Sequence, residues 1–309
     1  MRKKIITSGS TFIDIDAFAC LFAYKELLDL KKEEAEIVVT AACNSSVTQK
    51  YKDLNVNKTD ASVEDVDFVV IDVSDPDHFD KIVKLDNVSH IFDHHPGFES
   101  YWSEKIGEHA VIEPIGAAAT LIFREYEKEN LLEKISPSSA ELLAVAILSN
   151  TLNFQAKITK EEDKIAYEEL KTFFDYSSTF EEEYFSEVQE SIEKNILDSL
   201  KNDSKYINPE LFIVQLEVWD SKHIIDNFQE EIDQFLRSAN SEVSFLNLIE
   251  LDKKRNVIIC NDDRTLDYLE KYFSEFDIDR EKKIAITPHV MLRKEIITRI
   301  SKHTTIYNR

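Results

Sequence analysis

Cysteine and glycine are both scarce in this chain of 309 residues, which has three of the first and four of the second. Cys20, Cys43 and Cys260 cannot all pair within one molecule and show no CxxC spacing, which excludes a disulfide framework and fits reduced, packed thiols in a cytoplasmic compartment. Positive charge is in deficit as well: 37 Lys and Arg stand against 60 Asp and Glu, a net charge of −23. Such a field repels a phosphate backbone, so neither bulk nucleic-acid binding nor attachment to an anionic membrane surface is expected. Long apolar runs are missing too. No stretch approaches the ~20 residues of a membrane helix, and the opening Met1-Arg2-Lys3-Lys4-Ile5-Ile6 turns polar at Thr7 and acidic at Asp14 before an export signal forms. Repeats and low-complexity linkers are also lacking.

What is present is apolar material, 43% hydrophobic and 10% aromatic residues, and a length of roughly two typical domains. The pattern is α/β. Apolar spacing predicts a buried strand over residues 4–8, a helix over 17–30, and buried parallel strands over 36–42, 68–71, 90–92 and 110–112. Helices are expected over 117–126, 138–149, 160–174 and 180–200. From residue 211 the pattern restarts, with strands over 211–218, 243–251, 256–261 and 282–287 and helices over 226–238 and 264–276. The expectation is an N-terminal domain (1–187) with a mainly parallel sheet flanked by helices and a smaller C-terminal α/β domain (188–309). The acidic runs at 127–130, 160–164 and 181–184 read as solvated helix faces.

Chemistry-bearing residues gather just past the ends of the expected strands, where ligand sites of open α/β sheets collect. Asp14 and Asp16 follow the first strand, two carboxylates spaced to converge on neighbouring cations; the plainer alternative is that Asp16 caps the helix beginning at Ala17 and Asp14 is solvated. Asp72 ends the apolar run Val69-Val70-Ile71, where a carboxylate needs a cation or hydrogen bonds to offset its desolvation. Asp93-His94-His95 follows Ile91-Phe92, and adjacent histidines point in different directions, so one can ligate while the other faces substrate. Asn150, at the end of a helix, is by itself most often a C-cap. Together these groups describe a hard, mixed oxygen and nitrogen site suited to Mn²⁺, Mg²⁺ or Co²⁺, of a kind that can hold two ions around a phosphoryl group.

In this order, DxD, a strand-terminal Asp and then Asp-His-His, the chain resembles the DHH phosphoesterase superfamily, and within it the branch of manganese-dependent family II inorganic pyrophosphatases and exopolyphosphatases. Ile112-Glu113-Pro114-Ile115-Gly116-Ala117-Ala118-Ala119-Thr120 is similar to the family's E-P-x-G-x-x-A-T segment, Ala146-Ile147-Leu148-Ser149-Asn150-Thr151-Leu152-Asn153-Phe154 to A-I-L-S-D-T-L-x-F, and Leu292-Arg293-Lys294 to the anion-binding S-R-K motif. The resemblance implies a DHH domain followed by a DHHA-type substrate-binding domain, closing over a cleft. It further implies that Asp14 and Asp16 ligate different metals, Asp72 bridges them and His94 is a ligand. His95 would contact the phosphate, Asp93 would orient its neighbours, and Arg293, Lys294 and, on a looser match, Lys205 would bind the terminal phosphates.

Three positions depart from that pattern. Ser10 stands where G-H-x-x-P-D-x-D has a metal-binding His, as in exopolyphosphatase-like and prune-like members; Asn150 replaces an anionic ligand by a neutral amide, and Leu292 replaces the serine of S-R-K. Ser10 and Asn150 are therefore weak ligands at best. The implied function is a hydrolase of phosphoanhydride bonds acting on a small anionic phosphate such as polyphosphate or pyrophosphate, by water that the metals activate. Two alternatives stay open: a regulatory phosphate- or nucleotide-binding protein with weakened or lost catalysis, and a nucleotide or oligonucleotide phosphodiesterase, although the Gly-Gly-Gly-His motif of such members is absent from this sequence. A homodimer formed by edge-strand pairing in the first domain is a further expectation.

Overall fold

Five short apolar segments form the first sheet: β1 (Lys4–Thr7), β2 (Ala35–Ile37), β3 (Asp67–Ile71), β4 (Val88–Asp93) and β5 (Ala110–Ile112). All pairings are parallel, in the order β2-β1-β3-β4-β5. Ile5, Ile6, Phe68, Val69, Val70 and Ile71 are wholly buried, as expected of parallel strands covered on both faces. The chain leaves β1 to one side for β2 and returns on the other for β3, so a topological switch point lies between β1 and β3, opening a crevice beyond their C-terminal ends. The computed structural model describes residues 2–54 and 65–307, and the chain divides into two compact units, Met1–Glu181 and Glu182–Arg309.

The helices of the first unit are α1 (Ile15–Leu30), α2 (Gln49–Lys52), α3 (Glu99–Ile106), α4 (Ala118–Lys128), α5 (Pro137–Asn150) and α6 (Glu161–Leu170). Helix α1 is buried over most of its length and packs against α4 and α5. Its N-cap is Asp14, whose side chain accepts from the Ala17 amide, so Asp14 rather than Asp16 takes the capping role. Helix α5 starts with Ser136 as cap and Pro137 in the first turn, where a missing N–H costs nothing.

The second unit begins within α7 (Phe180–Lys194) and continues through α8 (Ile196–Asn202), β6 (Ser204–Asn208), β7 (Leu211–Val218), α9 (Lys222–Asn227), α10 (Gln229–Ser238), β8 (Val243–Glu250), β9 (Arg255–Cys260), α11 (Asp263–Tyr272), β10 (Asp277–Asp279), β11 (Ile284–Ile286) and α12 (Arg293–Tyr307). Its mixed sheet runs β10-β11-β9-β8-β7-β6, with only β7 and β8 parallel. Ile213, Phe245, Ile258, Leu269 and Phe273 fill one core.

The α/β class and the helix-flanked parallel sheet agree with expectation. Several boundaries differ. The segment expected as a strand over 36–42 pairs only through Ile37, and the helix expected over 180–200 breaks at Asn195, whose φ of −140° and ψ of 59° leave helical space. The helix expected over 226–238 is divided at Phe228. Among the described residues no helix is long and apolar enough to cross a membrane.

Candidate metal centre

The C-terminal ends of β1, β3 and β4, with the loops and the first turn of α1 that follow them, deliver four carboxylates and two imidazoles to the switch point. Asp72 follows β3 directly, in a left-handed conformation with φ of +61°. That region is sterically poor for non-glycine residues though least so for Asp and Asn, and such strain collects at functional sites. Its amide donates to the Phe92 carbonyl at 2.7 Å, which fixes the turn. Its Oδ1 is buried without a hydrogen-bond partner. His94 Nε2 stands 3.5 Å from that oxygen and His95 Nδ1 3.9 Å, and these three residues offer ligand atoms within 4.8 Å of one another.

His94 is prepared for ligation. Its Nδ1 lies 3.1 Å from the Ile115 carbonyl, so Nδ1 carries the proton and Nε2 presents its lone pair. Burial, then the neighbouring His95, holds its pKa below the usual imidazole range, so it is neutral. His95 is the opposite case. Asp93 Oδ1, wholly buried, accepts from the His95 amide at 3.1 Å and lies 2.8 Å from Nδ1, and this hydrogen bond raises the imidazole's pKa. With Nδ1 committed to Asp93, His95 keeps Nε2 and a cationic tendency. The two rings meet edge to face at 4.3 Å.

Asp16 is fully buried and held by protein donors: the Ala118 and Ala119 amides at 2.7 and 2.9 Å, Asn150 Nδ2 at 2.5 Å and Cys20 Sγ at 3.4 Å. Burial, then Asp14, still pushes its carboxyl up to about 7. Asp72 is also raised well above the usual carboxylate range, by burial and then by Asp14, Asp16 and Asp93. Crowded buried carboxylates, an orphaned oxygen and a neutral imidazole form a donor set that a divalent cation fits, because a cation relieves the repulsion that protonation otherwise must. Asp14 lies on the same side, and with Asp72, His78, His95 and Phe12 it lines a cavity of about 260 Å³.

Of the residues expected to act here, Asp14, Asp16, Asp72, Asp93, His94, His95 and Asn150 come together. Asn150 is the last residue of α5, with Thr151 as the cap, and its amide hydrogen-bonds Asp16. Ser10 is tied to the backbone instead: its amide and Oγ donate to the His78 carbonyl at 2.9 and 3.2 Å. The cationic candidates belong to the second unit. Arg293 opens α12 and its Nη1 donates to the carbonyls of Asp203 (2.5 Å) and Ile213 (3.4 Å); Lys205, exposed on β6, pairs opposite Ile213. Arg293 and Lys205 thus share one corner of that unit, and Lys294 is exposed beside them in sequence.

Asp163 was not expected. It lies in an acidic run that reads as a solvated face, yet it is wholly buried and accepts from the amides of Gly116 (3.0 Å) and Lys160 (2.7 Å) and from Thr120 Oγ1 (2.6 Å). It thereby anchors the segment whose Ile115 carbonyl orients His94 and whose Ala118 and Ala119 amides hold Asp16. An acid three residues into a helix is a local signal for backbone capping, and that signal was available.

No family model matches the chain. Proteins named probable manganese-dependent inorganic pyrophosphatase do: one from Staphylococcus carnosus is 24% identical over 246 residues, 75% of each chain, and one from Lactobacillus acidophilus is 22% identical over 312 residues, 96% of each. Among solved structures, a Methanococcus jannaschii protein provisionally described as a family II inorganic pyrophosphatase superposes with a TM-score of 0.61 at 18% identity, covering 98% of this chain and 99% of that one. An exopolyphosphatase-related protein from Bacteroides fragilis gives 0.54 at 14% identity, covering 100% and 94%. In sequence the chain is thus similar to the manganese-dependent inorganic pyrophosphatases, and in fold to the family II pyrophosphatase and exopolyphosphatase-related structures, the resemblance that its DxD and Asp-His-His motifs carry.

Proposed function

We propose that this chain is a metal-dependent phosphohydrolase that cleaves phosphoanhydride bonds, with pyrophosphate, polyphosphate or a related small phosphate compound as substrate. The observation that carries this reading is the orphaned, buried Asp72 Oδ1 facing His94 Nε2 beside three further carboxylates. The names of the sequence relatives support it and make Mn²⁺ the first cation to test. Asp14, Asp16, Asp72 and His94 would hold the metal, two ions in the full form of the site, with Asn150 and Ser10 contributing weakly. A divalent cation held there supplies charge to phosphate oxygens and acidifies bound water.

The remaining work falls to the protein's own groups. Asp93 fixes the His95 ring and keeps it inclined to carry a proton, so His95 can neutralise a phosphate oxygen or donate to the departing one. Ile115 and Asp163 hold His94 and the Asp16 cradle in place. Arg293, Lys294 and Lys205 are assigned to the terminal phosphates, supported by the shared corner that two of them occupy. A net charge of −23 favours a small anion taken up through local cations over a nucleic-acid polymer. Cytoplasmic location belongs to the same reading, and a homodimer would use the edge strands β2 or β5.

The test is phosphate release by metal-free protein reloaded with Mn²⁺, Co²⁺ or Mg²⁺, against pyrophosphate, short and long polyphosphate, a nucleoside triphosphate and a dinucleotide. Release from the inorganic substrates is expected. Metal binding with no release from any substrate would overturn the hydrolase in favour of a binding protein, which the Asn150 bond to Asp16 would then explain.

A further inference from the structure

Position 10 lacks the imidazole that its motif leads one to expect, and the structure places another imidazole across from it. Gly9 and Phe79 form an antiparallel bridge, the Ser10 amide donates to the His78 carbonyl at 2.9 Å and the Asp80 amide to the Ser8 carbonyl at 3.1 Å. The bridge is an isolated one, and His78 ends the 3-10 turn Pro76–His78 that leads into it, so these hydrogen bonds set residue 78 beside residue 10. The Ser10 hydroxyl is spent on the same His78 carbonyl, at 3.2 Å. His78 is among the residues that line the cavity with Asp14 and Asp72, and its side chain is 67% exposed. Its Nδ1 is 3.6 Å from Asp75 Oδ2, beyond a good hydrogen bond, so little fixes the ring, and exposed side chains change rotamer within nanoseconds.

We propose that His78 supplies the nitrogen ligand on the Asp14 side of the metal centre, taking over from the turn after β3 the role that Ser10 cannot perform. This rests on the metal-dependent reading above and adds a residue to it. A cation next to Asp14 and Asp72 would otherwise meet carboxylates and water alone on that side, since His94 is turned toward Asp16 and Asp72 and His95 Nδ1 is engaged by Asp93. Imidazole raises the preference of such a site for Mn²⁺ or Co²⁺ over Mg²⁺.

The experiment is Mn²⁺ titration of the metal-free full chain by calorimetry, with pulsed EPR of the bound ion to count directly coordinated ¹⁴N. Wild type, His78→Ala and the double variant His78→Ala/Ser10→His are compared. His78→Ala should lose one nitrogen coupling and at least about tenfold in affinity for one ion, with its unfolding temperature little changed because the side chain is exposed. Ser10→His in that background should restore both. Unchanged couplings and affinity in His78→Ala would overturn the inference alone, as would weaker binding with the nitrogen count intact. Failure of wild type to bind Mn²⁺ would overturn the metal-dependent reading with it.

Discussion

Asp72 shows the conflict at the level of one residue. Its backbone is left-handed, one oxygen is buried without a partner, and Asp14, Asp16 and Asp93 crowd it. Its folded pKa lies above its unfolded value, so its contribution to stability is fully present below the unfolded value and is lost as pH rises through the raised folded one. Asp72→Asn keeps a residue that tolerates positive φ and removes the charge. The metal-free variant should therefore be more stable than wild type at pH 7, by on the order of 1–2 kcal/mol, while losing the rise in unfolding temperature that Mn²⁺ gives wild type. Denaturant unfolding with and without Mn²⁺ decides it; a variant less stable than metal-free wild type would refute the strain. The position of Asp72 was legible in the sequence because an acid ended an apolar run. Its backbone strain was not, since that depends on the pairing of β3 with β4.

At the scale of elements, the segment between β5 and α4 carries the site. Gly116 is the close approach within it: a Cβ there would fall 2.4 Å from Asp163 Oδ2 and 2.7 Å from Thr151 Cγ2, both in buried residues. Gly116→Ala should destabilise the first unit by roughly 2 kcal/mol and weaken metal binding by loosening the Ile115 carbonyl behind His94 and the amides behind Asp16. Thermal unfolding and Mn²⁺ titration of the variant measure both effects, and a shift in neither would show that the segment accommodates the methyl. The first-sheet strands were readable because strands buried on both faces are continuous apolar runs. Helix α3, with Trp102 its only buried residue, and β6, half exposed and polar, carry no such run. Asp163 was misread because, apart from the local Lys160 amide, its partners lie 43 and 47 residues away, and composition alone does not distinguish a solvated acid from a buried one.

Across the whole molecule, acidity is handled differently in the two units. In the first, carboxylates converge and await a cation. In the second, burial would raise the Glu250 carboxyl, but Ser221, Arg255 and Lys253 hydrogen-bond it and hold it at about 2. A depressed carboxylate pKa gives stability that is complete above the ordinary glutamate value and is lost as pH falls through about 2. Glu250→Gln should lower stability at pH 7 by roughly 2 kcal/mol and flatten its acid dependence; a pH series of unfolding curves checks this, and identical acid limbs would contradict it. The central claim is that the first unit's acidic cluster is a working metal centre. The measurement that tests it most directly is phosphate release from pyrophosphate and polyphosphate by the Mn²⁺-loaded full chain beside its Asp72→Asn variant. Release by wild type that falls by on the order of 100-fold or more in the variant is the predicted result; equal release from both, or none from a wild type that has bound Mn²⁺, would contradict it.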